Sequence, residues 1–127
     1  MELILDSEKI AFLGIRIQKI PYLWNMIKRI AEKKLSQLAR TFKLVGLTGP
    51  RQSGKTTLVK QVFRDKPYVS LENPDARRFA MEDTRGFLET YAKGAVLDEV
   101  QRVPDLFSYL QEIADSSRQK GLFILTG

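Results

Sequence analysis

Eight residues, Gly49-Pro50-Arg51-Gln52-Ser53-Gly54-Lys55-Thr56, satisfy the pattern G-x-x-x-x-G-K-[ST] at every fixed position. Each fixed residue type has a task at a phosphate. Glycine lets the chain curl until consecutive backbone N–H groups converge on one anion. A helix opening near Lys55 adds the partial positive charge of its N-terminus. The Lys55 ammonium is expected to reach the β- and γ-phosphates, and the Thr56 hydroxyl to ligate Mg²⁺. The octet is therefore the candidate cradle for a nucleoside triphosphate.

Roughly forty residues later, Ala-Val-Leu-Asp-Glu (95–99) closes an apolar run with two carboxylates. Alone this is a weak signal, because acidic residues often end strands. After a phosphate loop it reads differently: Asp98 is expected to hold Mg²⁺ through water, and Glu99 to polarise the water that attacks the γ-phosphate. A guanine-nucleotide switch would carry D-x-x-G and N-K-x-D. Asp98 is followed by Glu99, Val100 and Gln101, and no N-K-x-D occurs, which disfavours GTP. A small-metabolite kinase usually needs no glutamate beside the Mg²⁺ aspartate, whereas a hydrolase does, so Glu99 tips the chemistry towards ATP hydrolysis.

Such residues need elements to hold them. Lys43 to Thr48 reads as a buried strand that feeds the glycine loop, and the following helix carries Leu58, Val59, Val62 and Phe63 on one stripe. Tyr68 to Leu71 reads as a second strand. Asn73-Pro74 is a helix start, with Asn73 as cap and proline in the first turn. Short helices follow over Ala76 to Met81 and Gly86 to Tyr91, split near Asp83-Thr84. Ala95 to Leu97 is a third strand. Pro104 to Ala114 is helical, with Leu106, Phe107, Leu110, Ile113 and Ala114 facing inward, and Leu122 to Leu125 is a fourth strand. Alternating strands and helices imply an open parallel sheet with helices on both faces, in which ligands bind beyond the carboxyl ends of the strands. The phosphate loop and Asp98-Glu99 should therefore face one another.

Upstream, Ile27, Ile30, Ala31, Leu35 and Leu38 recur at helical spacing, so an amphipathic helix is expected over Ile27 to Leu38, with Pro21 separating it from a less regular leading segment. Trp24, Phe63, Phe79, Phe87 and Phe107 are core candidates by residue type.

Composition narrows the chemistry. The 127 residues contain no cysteine and no histidine, so disulfides, thiolate metal sites and an imidazole base are all absent. Catalysis must use carboxylates, lysine, hydroxyls and a bound cation. No apolar run approaches the roughly 20 residues that span a bilayer, and no secretion signal is legible, as expected of a cytoplasmic protein without a membrane role. The net charge of +6 is uneven: nine Lys/Arg against four Asp/Glu precede Leu44, and twelve against eleven follow. A solvated helix face is the plain reading, and a surface for nucleic acid or an acidic partner the sharper one.

With both motifs in view, the chain resembles the AAA+ ATPase superfamily, and within it a prokaryotic group of AAA-type ATPases whose core is usually followed by a domain of unknown function. The resemblance rests on LTGPRQSGKTTL (47–58), YVSLENPDARRFA (68–80), GAVLDEVQRVPDLFSYLQ (94–111) and GLFILTG (121–127). It implies a P-loop NTPase fold, a three-layer α/β/α sandwich on a parallel sheet. Residues 26–127 would be the ATPase core, cut at the end of its fourth strand, and residues 1–25 an accessory segment of open status, with Met26 as an alternative start.

The resemblance further implies ATP and Mg²⁺ as cofactors. Gly49, Gly54, Lys55, Thr56 and Thr57 would bind nucleotide, with Lys55 and Glu99 catalytic and Thr56 and Asp98 on the metal. Against the family pattern the fifth strand, the helical lid and a neighbouring subunit's arginine finger are expected to be missing, and the implied sheet order, 5-1-4-3-2, would then leave the strand before the glycine loop at an exposed edge. Thr126 is the candidate sensor of the γ-phosphate, and Arg102 and Arg118 are formal candidates for an arginine finger, though both read first as surface residues. Asn73 reads first as a cap and second as a polar partner for Glu99, while Gln101 and Arg51 are candidates to line the site. The expected activity is Mg²⁺-dependent ATP hydrolysis in a complete protein, with a homo-oligomer implied by the family alone. The alternatives are a catalytically incomplete nucleotide-binding fragment and a DNA-associated ATPase.

Overall fold

The computed structural model describes residues 2–6, 21–48 and 54–127. Five strands form one wholly parallel sheet: β1 (Glu2–Asp6), β2 (Leu44–Thr48), β3 (Tyr68–Ser70), β4 (Ala95–Asp98) and β5 (Phe123–Thr126), in the order β1-β2-β5-β4-β3. The helices are α1 (Pro21–Thr41), α2 (Lys55–Val62), α3 (Pro74–Glu82), α4 (Thr84–Thr90) and α5 (Leu106–Ser116), with a 3₁₀ turn over Val100–Arg102. The four strands read from the sequence are all present, and the α/β sandwich is as expected. The edge is not: β1 lies parallel against β2, from Glu2 opposite Leu44 to Asp6 opposite Thr48, so β2 is an interior strand.

Side-chain alternation along the strands sorts the core into two layers. Val45, Leu47, Val96 and Ile124 pack on one face with Ala31, Leu35 and Leu38 of α1 and Leu58 and Val59 of α2. Leu44, Ala95, Leu97, Phe123 and Leu125 pack on the other with Leu88 of α4 and Leu106, Leu110 and Ala114 of α5. Burial on both faces is what a parallel sheet requires, and it explains why β4 and β5 read as unbroken apolar runs.

Several sequence expectations need correction. Pro21 opens α1 rather than preceding it, because proline tolerates the first helical position, where no intrahelical acceptor awaits its missing N–H. Ile30 is 61% exposed, since the face turned to the sheet is carried by Ala31, Leu35 and Leu38. Phe79 and Phe107 are each 41% exposed and so lie outside the core proper. Phe79 still meets the buried Phe87 edge-on at 5.6 Å. The break between α3 and α4 falls where Asp83 accepts the Gly86 N–H at 3.0 Å and caps the second helix. Gly94, at φ +100° before β4, packs so closely on the Leu122 carbonyl that a β-carbon would collide with it. The side chain of Trp24, and residues 7–20 of the less regular leading segment, lie outside what the structure describes.

Candidate functional site

The two-residue period that builds the core also aims the polar residues. Asp98 and Thr126 end β4 and β5 on the same side as Val96 and Ile124, hence towards α2. Register does the rest. Ser70 lies opposite Asp98 in the parallel pair, which brings Tyr68, two residues earlier on the same face, beside it.

Four donors converge on the Asp98 carboxylate. Oδ1 accepts from the Thr126 hydroxyl and, at 3.0 Å, from the backbone N–H of Glu99. Oδ2 accepts from the Thr56 hydroxyl at 3.0 Å and from the Tyr68 hydroxyl. Asp98 is 4% exposed and Thr126 1%. Burial by itself pushes the Asp98 carboxyl up, but the bonds from Thr126, Tyr68, Thr56 and the Glu99 backbone outweigh it and hold the group below the usual carboxylate range. Tyr68 moves the opposite way: burial first, then the bond to and charge of Asp98, raise its phenol above the ordinary value, so it remains a donor.

Lys55 and Thr56 occupy the first two positions of α2, and Lys55 is 5% exposed. Gly54 caps the helix at φ 85°, ψ 2°, a left-handed conformation in which other residues are strained. Thr57 is exposed on the first turn. Gly49, Pro50, Arg51, Gln52 and Ser53 lie outside the described residues.

Glu99 is half-buried and sits at φ 59°, ψ 42°, the one non-glycine residue with positive φ among the described residues. That conformation costs about 1–2 kcal/mol for an L-residue with a β-carbon. The strain makes a sharp corner directly after β4, so the two neighbouring carboxylates diverge. Asp98 goes inward to the hydroxyls, whereas Glu99 accepts from the Gln101 side-chain amide. Gln101 also packs against Gly127, where a β-carbon would strike its amide oxygen.

Asn73 does what its position before Pro74 suggested: its side chain accepts from the N–H groups of Asp75 at 2.9 Å and Ala76 at 3.1 Å, capping α3. The polar partner of Glu99 is Gln101 instead. Arg102 lies 3.6 Å from Glu72 in a surface ion pair, and Arg118 is exposed. Tyr68 is the site residue that motif reading passed over, and its only sequence signal was the spacing of Tyr68 and Ser70 on one strand face.

A hydroxyl and an ionised carboxylate side by side are the hard oxygen donors that Mg²⁺ takes from a protein. Among the described residues no group of three or more acidic side chains could cage a metal, so a cation here would depend on phosphate oxygens and water for its remaining ligands. No described helix is long and apolar enough to cross a membrane.

Comparison with known proteins gives two kinds of match. A family model described as an AAA domain matches residues 41–127. The uncharacterized proteins Mb2031c of Mycobacterium bovis and Rv2008c of Mycobacterium tuberculosis are each 37% identical to the chain over 103 residues. That stretch covers 79% of this chain but 23% of either relative. No solved structure matches.

Proposed function

The chain belongs to the AAA domain family, and from that premise we propose that it binds ATP with Mg²⁺ and supplies the hydrolytic half-site of a longer ATPase. The observation that carries this reading is the 3.0 Å hydrogen bond between Thr56 and Asp98, residues 42 positions apart that belong to the two motifs. Family membership supports nucleotide use.

The loop from Gly49 to Thr56 would receive the β- and γ-phosphates on its backbone N–H groups and on the N-terminus of α2. Lys55, at the head of that helix, would neutralise phosphate charge. Thr56 and Asp98 would hold Mg²⁺, which supplies charge neutralisation across the phosphate oxygens. The bonds from Thr126 and Tyr68 keep Asp98 ionised and oriented for that task, so little reorganisation is needed when ligand arrives.

Glu99 would act as general base. Its carboxylate takes a proton from water as the water oxygen bonds the γ-phosphorus, and the bond to the bridging oxygen breaks to leave ADP and phosphate. To do so Glu99 must exchange its Gln101 partner for the attacking water. In the complete protein, a neighbouring subunit of a homo-oligomer would bring an arginine, and further domains would supply the client.

The first test is a thermal melt with and without saturating Mg²⁺-ATP. Ligand at about 100 times its dissociation constant adds ~2.7 kcal/mol, which raises the midpoint of a chain this size by about 10 °C. Lys55→Ala should lose the shift. A wild-type melt indifferent to ATP would sink the reading. Phosphate release abolished by Glu99→Gln, with the melt shift kept, would separate hydrolysis from binding alone.

A further inference from the structure

Between α1 and the far end of α2 runs a groove of about 880 Å³. Its walls carry Lys28, Arg29, Lys33 and Arg40 from α1 and Arg64 just beyond α2, against one carboxylate, Glu32. Most of the molecule's other described cations are already engaged. Lys43 donates to the Ala114 carbonyl at 2.6 Å and Lys66 to that of Leu122 at 3.4 Å, while Arg85 and Arg102 pair with Glu112 and Glu72 at 3.6 Å. Among the described residues, none of the five groove cations takes part in an ion pair, side-chain hydrogen bond or ring contact. Five unpaired positive charges held along one cleft repel one another unless something anionic lies between them.

We propose that this groove binds the phosphate backbone of a nucleic-acid duplex. From Lys28 to Arg40 the row extends ~18 Å at 1.5 Å per helical residue. One strand of a duplex presents a phosphate every ~3.4 Å along the axis, so about five phosphates face the four cations of this row and Arg64 across the groove. Val62 is the sole apolar residue of the lining, and no aromatic residue is present. The first fact disfavours a lipid surface, which rewards apolar side chains around the charges. The second disfavours single strands held by base stacking. Binding is therefore to backbone, without sequence preference. The groove shares α2 with the candidate nucleotide site: Lys55 and Thr56 open the helix, and Gln61 and Val62 wall the groove at its other end.

The test is fluorescence anisotropy with a labelled duplex of about 20 base pairs, titrated between about 50 and 200 mM salt. Five neutralised phosphates predict a log–log slope near −4.5, or ~500-fold weaker binding across that range. The double variant Lys33→Glu/Arg40→Glu, whose positions are exposed, should keep the wild-type melt, bind at least ~10-fold more weakly and flatten the slope by about two. Lys55→Ala should lose the ATP response and retain the duplex, so failure of the nucleotide reading and failure of this one are separable. Absence of saturable duplex binding, a flat salt dependence, or equal binding by the double variant overturns the proposal. So does capture by phosphatidylserine vesicles or polyglutamate when the duplex is refused.

Discussion

The two faces of the sheet are built from the same strands, one residue out of phase, and they have different contents. Towards α3–α5, the side chains of β4 and β5 are apolar throughout: Ala95, Leu97, Phe123 and Leu125. Towards α1 and α2, Val96 and Ile124 give way at the strand ends to Asp98 and Thr126, which join Thr56 and Tyr68. One face holds the fold together, and the other gives up part of its apolar cover to keep an ionised carboxylate. The difference teaches that the position of a polar residue along the strand matters less than its parity.

Mutations can break that contrast in graded steps. Phe123→Ala empties a fully buried position on the apolar face and should cost ~3–5 kcal/mol in a denaturant melt, whatever ligand is present. Asp98→Asn should cost less, about 1–3 kcal/mol, because a buried hydrogen-bonded charge is replaced by a group that satisfies its partners imperfectly, but it should abolish the Mg²⁺-ATP shift. The same variant sharpens the comparison through pH. Asp98 has a depressed pKa in the fold, so its contribution is present above the unfolded value near 3.9 and is lost as pH falls through the folded one. The wild-type advantage over Asp98→Asn should thus be full at neutral pH and shrink in melts taken progressively below pH ~4.

Thr126→Val takes one polar group from the second face with little change of shape. It removes one bond to Asp98 and should cost about 1 kcal/mol at neutral pH, again by denaturant melt. Glu99→Gly has the smallest expected effect and the opposite sign for backbone strain: relief of the left-handed conformation offsets the entropy of an added glycine to within about 1 kcal/mol. Its stability should stay near wild type while phosphate release is lost.

Local pattern was enough to find four strands, the helices on both sides and the facing of Thr56 and Asp98, because each depends on periodicity or on a motif with a known context. β1 was illegible for a different reason. Its partner lies some forty positions away, and nothing within Glu-Leu-Ile-Leu-Asp states which edge it joins. Tyr68 escaped because its role depends on cross-strand register, and the left-handed backbone of Glu99 because handedness leaves no mark on residue type. Phe79, Phe107 and Ile30 were assigned inward on hydrophobicity, yet a helix packed on one side leaves some large apolar residues at its flank.

The strand order has a further consequence, in time rather than in space. β5 is made after the other four described strands and lies between β2 and β4. Until residues 123–126 leave the ribosome, the pairs β1-β2 and β3-β4 have no common neighbour and present open edges to whatever is near. The segment Leu122 to Thr126 is thus the keystone of synthesis as well as of the sheet. A chain stalled before it would carry every residue of the candidate nucleotide site except Thr126, with no scaffold to bring them together.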